Sequence, residues 1–503
     1  MKKPHFYVLL GLLLFACVST TSAANKPTNI IFIMADDLGY AELGSYGQKK
    51  IRTPHLDQLA KEGMRFTRHY SGNAVCAPSR CVLLTGKHPG HAWVRSNKAT
   101  PPLGQEPIPA SEVTVAELLQ KKGYATGAFG KWGLGRPGSS GDPLTQGFDR
   151  FFGYNCQSRA HSYYSDYLQD DDKHFALKNH PPIPGHASLA EGADALDPKS
   201  YAMFKGSDYA SDHINAEALK FLDKNKDKPF FLYYPTMIPH VALHVPDEEL
   251  EPYLKLGWKE KPFTKRKSDG QGHGYTPHLT PKAAYAAMIS RMDRYVGKLL
   301  ARLQELGLAE NTLVVFTSDN GTTHLGDEVD FDFFKSVAGL RGLKGSLYEG
   351  GVRVPLIVRW PGHVLPGSVS DYVSGFEDWL PTLMEVVGAS SDVPDGLDGV
   401  SLVPVLEGEK QVERDFLYRE FPSYGGQQAL WVGKWKAVKQ EMLKKGKGQI
   451  ELYDLSVDEG EQNDVAAKYP EVLQRMQKLM DEQHVPSEVF PLPPYEQRKR
   501  KKK

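Results

Sequence analysis

The chain has 503 residues, of which 40% are hydrophobic and 24% charged. Those proportions exclude a disordered or fibrous chain, and the length exceeds the usual domain size of about 100 to 200 residues, so one large domain with a smaller companion is expected. The 61 basic and 61 acidic residues balance only because Arg498, Lys499, Arg500, Lys501, Lys502 and Lys503 crowd the carboxyl end; without those six and Lys2 and Lys3, 53 basic residues face 61 acidic ones. A mildly acidic body carries no nucleic-acid footprint.

Lys2 and Lys3, the apolar run Phe6 to Cys17 and the small residues Thr21-Ser22-Ala23-Ala24 predict a secretory signal peptide over 1–24, and so export to a periplasm or the exterior. The run is too short to span a bilayer, and no later segment approaches ~20 apolar residues. Cys17 offers a lipid anchor as the alternative, although Phe15 fits a lipobox poorly. After cleavage only Cys76, Cys81 and Cys156 remain. This is not a disulfide scaffold, and buried free thiols are favoured over a Cys81 to Cys156 bridge.

The run Asn29 to Met34 predicts a buried strand that delivers Asp36 and Asp37 at its carboxyl end. Tyr124 to Phe129 predicts a short strand leading into Gly130-Lys131-Trp132. The stretches 156–210 and 240–281 are rich in His, Pro, Gly, Asp and Tyr with little periodicity, which predicts long functional loops rather than core. Tyr285, Met288, Ile289, Met292, Val296, Leu299, Leu300, Leu303 and Leu306 recur at helical spacing up to Gly307, a stop signal. Leu313 to Phe316 is a second buried strand, ending at Asp319 and Asn320. From about Gln411 the texture changes: Ala429 to Val432, Trp435 to Val438 and Glu451 to Leu455 suggest a small antiparallel sheet, and a helix over Val472 to His484 precedes a Pro-rich tail. The expected organisation is a main domain over 25–410, a small subdomain over 411–490 and a basic, disordered tail over 491–503.

Helix, strand and acidic loop make an α/β pattern, and ligands of open α/β sheets gather beyond the carboxyl ends of strands, so the two acidic pairs are expected in one site. Asp36, Asp37, Asp319 and Asn320 offer oxygen ligands only. That set suits Ca2+, with Mg2+ as the alternative, rather than zinc.

The segment Ala74-Val75-Cys76-Ala77-Pro78-Ser79-Arg80-Cys81-Val82-Leu83-Leu84-Thr85-Gly86 sets one thiol in a turn-forming context ahead of an arginine. It resembles the formylglycine signature of type I sulfatases, and the chain is similar to the arylsulfatase A and N-acetylgalactosamine-6-sulfatase type. The stretch Gly123 to Trp132 around Lys131 is similar to the second sulfatase signature, Arg341 to Pro355 around Lys344 resembles the GKGxxYEGGxRVP segment, and Pro239 to Pro246 around His240 resembles the PHxP loop. The resemblance runs from Asn29 to about Glu407.

The resemblance implies an alkaline-phosphatase-like mixed sheet sandwiched by helices, with a small carboxyl-terminal antiparallel-sheet subdomain. It further implies that a maturation enzyme oxidises Cys76 to formylglycine and that Asp36, Asp37, position 76, Asp319 and Asn320 bind the cation. One hydroxyl of the aldehyde hydrate then attacks sulfur, expelling the alcohol, and deprotonation of the other ejects sulfate. Arg80, Lys131 and Lys344 would clamp the sulfate and the hydrate, and His240 would protonate the leaving alcohol. The substrate implied is a sulfated poly- or oligosaccharide, or an aryl sulfate. His161, Tyr163, Tyr164, His244, His273, His278 and His324 are the expected sugar contacts.

One departure is informative. Sulfatases commonly read GKWHxG, whereas this chain has Gly130-Lys131-Trp132-Gly133-Leu134-Gly135, so the proton acceptor expected at position 133 is missing. His161 in the neighbouring loop is the candidate replacement. The alternatives are a phosphonate or phosphate monoester hydrolase of the same superfamily and a catalytically impaired glycan-binding relative. The spelling GxGxxG over Gly133 to Gly138 lies in a Pro-, Gly- and Ser-rich loop and is not a dinucleotide site.

Overall fold

The computed structural model describes residues 26–264, 274–410, 413–444, 448–492 and 495. The expected signal peptide, Cys17, His273 and the run of cations at the carboxyl end lie outside the described residues. Eleven strands form the main sheet: β1 (Asn29–Asp36), β2 (Met64–Tyr70), β3 (Ala125–Lys131), β4 (Arg150–Tyr154), β5 (Tyr167–Asp170), β6 (Lys173–Ala176), β7 (Phe230–Pro239), β8 (Thr312–Ser318), β9 (Arg353–Arg359), β10 (Ser368–Ser370) and β11 (Ser374–Gly375). Their order is β10-β2-β9-β8-β1-β7-β3-β4-β5-β6, with β11 beside β2. The central run β8-β1-β7-β3-β4 is parallel, and the flanks bring in antiparallel pairs.

The continuous apolar spelling of β1 follows from its place at the centre of that sheet. A strand covered on both faces needs no polar alternation. Ile31 and Ile33 enter the core beneath the helix Pro281–Glu305, whereas Ile30, Phe32 and Met34 enter the opposite core with Trp379 and Leu380. β8 lies in register beside β1, from Asn29 opposite Thr312 to Ala35 opposite Ser318. The two acidic pairs therefore emerge side by side. The helix Pro281–Glu305 starts on a proline and ends just before Gly307, whose φ of 68° closes the turn as expected of a stop signal.

A second sheet of four antiparallel strands, β12 (Leu417–Phe421), β13 (Gln427–Val432), β14 (Trp435–Lys439) and β15 (Ile450–Asp454), follows in simple order. Its outer face is covered by the helix Pro470–Glu482, which buries Met476 and Met480 against Tyr418, Leu430, Ala437 and Leu452. β12 was not among the expected strands.

The stretches 156–210 and 240–281 are less loop-like than predicted. They contain β5, β6, a 3-10 segment over Pro198–Phe204 and the helix Asp247–Leu254. Several of their tyrosines are core residues: Tyr163 is buried, stacks on Tyr209, and donates from its hydroxyl to the Met237 and His240 carbonyls. Cys76, Cys81 and Cys156 are free, buried thiols. Among the described residues no helix is long and apolar enough to cross a membrane.

Candidate active site

The four adjacent parallel strands β8, β1, β7 and β3 all end on the same side of the sheet. β1 ends at Asp36 and hands on Asp37, β8 is followed by Asp319 and Asn320, β7 by His240, and β3 ends at Lys131. Chain segments up to 283 residues apart thereby meet at one point. Asp37 holds a φ of 68°, which turns its carboxylate out of the strand.

Cys76 does not sit in a turn. It is the first residue of the helix Cys76–Thr85, which is buried along its whole length. Its Sγ donates to Asp36 Oδ1 at 3.3 Å, with Lys131 Nζ at 3.5 Å and Lys344 Nζ at 3.8 Å. One turn further in, Arg80 is fully buried and bonds Asp319 Oδ2 from Nη2 at 2.7 Å and from Nε at 3.2 Å, reaches Asp36 Oδ2 at 3.3 Å, and donates to the Lys131 carbonyl. Lys131 Nζ lies 2.6 Å from Asp36 Oδ2, and Lys344 Nζ lies 2.8 Å from Asp37 Oδ2. A buried charge persists only when paired, and each cation here has its carboxylate.

The acid cluster is crowded. Burial and the neighbouring Asp36 push the Asp319 carboxyl up to about 6 against the pull of Arg80. Burial also works against Asp36, but Lys131, His240, Arg80 and Lys344 hold its carboxyl far below the usual range. Asn320 donates from Nδ2 to Asp37 Oδ1 at 2.7 Å, while its buried Oδ1 has no partner among the described residues. An unpaired buried carbonyl oxygen among three carboxylates is what a hard divalent cation would satisfy. The donor set fits Ca2+ or Mg2+. Asp36, Asp37, Cys76 and His240 each bring one ligating atom within 4.8 Å of the others.

Above this floor a cavity opens, lined by Asp37, Cys76, Lys131, His161, His240 and Lys344 together with Asn97, Gln157, Tyr275, His324 and Tyr424. His240 Nδ1 donates to the Val241 carbonyl, so Nε2, 3.7 Å from Asp37 Oδ2, is the nitrogen left to act. Burial, Lys344 and Lys131 hold His240 well below the usual imidazole range. His161 stacks on it, with ring centroids 5.1 Å apart and planes 9° from parallel, and its Nδ1 meets His186 Nε2 at 2.9 Å. Burial, with His240 and Lys131, holds His161 well below the usual imidazole range as well.

The model of the Sulfatase family matches residues 28–389, and that of the N-sulphoglucosamine sulphohydrolase C-terminal region matches residues 343–485. The chain belongs to the sulfatase family. This sulfatase is 32% identical to human arylsulfatase A, over 91% of this chain and 88% of the relative. It is 29% identical to N-acetylgalactosamine-6-O-sulfatase of Bacteroides thetaiotaomicron, over 91% and 93%. Among solved structures it is similar to Ps i-CgsB in complex with k-i-k-neocarrahexaose, with a TM-score of 0.71, 27% identity, and coverage of 91% of this chain and 92% of that one. Its fold is accordingly alkaline-phosphatase-like.

The sulfatase also explains its own departure at Gly133. That glycine has a φ of 88°, and a Cβ there would stand 2.8 Å from Gln157 Nε2 and 3.1 Å from its Cγ. The space a side chain at 133 would take is filled by Gln157, whose buried Nε2 has no partner among the described residues. Sequence reasoning passed over Gln157. The signal was there: a missing side chain calls for one from the adjacent loop, and Gln157 is four residues before His161.

Of the expected sugar contacts, His161 and His324 line the cavity. Tyr163, Tyr164, His244 and His278 do not. Tyr163 is locked in the core, and Tyr164, His244 and His278 line a different cavity behind the His240 to Pro246 loop, because that loop folds back and sends His240 and His244 to opposite sides. Tyr424, 60% exposed, was not anticipated; it reaches the rim from the loop between β12 and β13 and makes a ring contact with His324.

Proposed function

We propose that this protein, once exported, cleaves sulfate esters of sulfated poly- or oligosaccharides in the cavity above Cys76, after a maturation enzyme has converted that thiol to formylglycine. The observation that carries the reading is the convergence on Cys76 of Asp36, Lys131 and Lys344, a thiol set between one carboxylate and two ammonium groups. Asp36, Asp37, position 76, Asp319 and Asn320 would hold Ca2+ or Mg2+, which with the converted residue supplies charge neutralisation and a nucleophile.

The chain's own groups do the rest. Lys131 and Lys344 fix the nonbridging sulfate oxygens, and Arg80 keeps the acid cluster ionised by pairing Asp36 and Asp319. His240 protonates the departing sugar oxygen from Nε2 after that nitrogen has taken up a proton, a form that the bound sulfate anion stabilises, while Nδ1–H stays on the Val241 carbonyl. His161 takes the proton that a histidine at 133 would otherwise accept: when its Nδ1–H donates to His186, its Nε2 carries a lone pair. The Gln157 amide donates into the same space. Support for a carbohydrate substrate comes from the relatives named for N-acetylgalactosamine sulfate and for a neocarrahexaose complex, and from the exposed Tyr424 ring at the rim. Export accords with the signal-like segment over 1–24.

The test compares sulfate or phosphate release from a sulfated oligosaccharide, 4-nitrophenyl sulfate and 4-nitrophenyl phosphate. The expected order places the oligosaccharide first and the phosphate last. A preference for phosphate would move the protein to the ester hydrolases of phosphorus, and binding of the oligosaccharide without turnover would make it a glycan-binding relative.

A further inference from the structure

A second cavity shares a wall with the catalytic one. Within 155–161, Gln157 and His161 line the catalytic cavity, whereas Asn155, Cys156 and Arg159 line the neighbour. Arg136 comes from the opposite side, on the turn that begins at Gly133. Tyr167 and His174, with rings stacked 3.8 Å apart, add an aromatic surface.

The charge of this neighbour is one-sided. Two guanidinium groups and no carboxylate line it. Arg159 lies 3.8 Å over the Tyr167 ring and pairs with Asp166. Arg136 is exposed, and among the described residues its guanidinium has neither a hydrogen bond nor an ion pair. Asn155 is 8% exposed, and both its Oδ1 and its Nδ2 lack partners among the described residues. Leaving a buried amide unpaired is unfavourable, and a ligand offering acceptors and donors would relieve that cost. By contrast, the larger cavity behind the His240 to Pro246 loop presents Asp208, Asp212, Asp247 and Glu248, which disfavour an anion.

We propose that the Arg136–Asn155 cavity binds a second sulfate group, carried on the sugar adjacent to the one whose ester is cleaved. Arg136 supplies the charge, Asn155 a hydrogen bond, and the Tyr167–His174 pair a face for the sugar ring. The preferred substrates are therefore oligosaccharides sulfated on neighbouring residues. This rests on the sulfatase reading of the catalytic cavity.

Binding separates the two claims. Full-length Cys76→Ala protein, unable to form the aldehyde, is titrated calorimetrically with a galactan tetrasaccharide sulfated on two adjacent residues and with the same tetrasaccharide sulfated once. The doubly sulfated ligand is expected to bind about 10-fold tighter, roughly 1.4 kcal/mol. Arg136→Gln in that background should reduce the preference to less than about 3-fold, and rising salt should erode it in the parent protein. No preference in the parent, no binding of either ligand, or a preference that survives Arg136→Gln overturns the proposal. Failure of the Cys76 protein to release sulfate from either ligand would instead count against the sulfatase reading, leaving the binding result to stand.

Discussion

Gly133 and Gln157 compete for one volume, and this explains the local departure from the family spelling. Placing a histidine at 133 must displace the Gln157 side chain and force a Cβ into a positive-φ position. We expect Gly133→His to lower the urea unfolding free energy by about 1–3 kcal/mol and to leave turnover no higher than before. His161→Ala should reduce kcat about 100-fold or more with KM nearly unchanged, the signature of a lost proton acceptor; an unchanged kcat in steady-state assays would remove His161 from the mechanism. A third residue gives a pH test. Glu42, buried and bonded by the Gly39 amide and the hydroxyls of Tyr285 and Thr322, is pushed up to about 7 by burial. Between pH 4.5 and 7 the folded chain holds that proton and the unfolded chain does not, so stability falls as pH rises through this window. Glu42→Gln should flatten that slope, a difference of about 3 kcal/mol across the window in unfolding free energies measured at several pH values.

At the scale of elements, the helix Cys76–Thr85 is pinned to the sheet by a single cation. Arg80 holds carboxylates at the ends of β1 and β8 and the carbonyl at the end of β3. Arg80→Leu leaves Asp319 without its ion-pair partner and Asp36 with Lys131 alone, and is expected to cost about 3–5 kcal/mol in denaturant unfolding of the metal-free protein, with added Ca2+ restoring part of the loss. How legible each element was depended on its surroundings. β1 and β8 could be read because burial on both faces leaves an unbroken apolar run, and the helix Pro281–Glu305 because its stripe repeats every turn. β12 escaped because Leu417-Tyr418-Arg419-Glu420-Phe421 mixes charge into a buried strand: Arg419 and Glu420 are buried and paired with Glu377 and Arg95 from elsewhere in the chain. Tyr163 and Tyr164 looked like substrate contacts because nothing in their spacing shows that Tyr209 and the His240 loop close over them.

For the whole molecule, the strand order β8-β1-β7-β3 decides where chemistry sits. Asp36, Asp37, Asp319, Asn320, Lys131 and His240 were each readable from motifs, but their meeting point depends on which strands lie side by side, and local sequence does not encode that neighbourhood. Tyr424 and Arg136 were invisible for the same reason: they act through loops whose positions are set by the assembled sheet. The orphaned Asn320 oxygen and the raised Asp319 predict cation-dependent stability. Chelator-dialysed protein should gain about 2.7 kcal/mol in thermal or urea unfolding when Ca2+ is restored at 100 times its Kd, with Mg2+ tested in parallel, and an unchanged transition with both ions would argue against the site.

The central claim concerns the residue at position 76, and mass spectrometry of the peptide that contains it, taken from protein that releases sulfate, tests it most directly. The account predicts that the peptide has the mass of the formylglycine form in place of the cysteine form. An intact Cys76 thiol throughout fully active protein would contradict it.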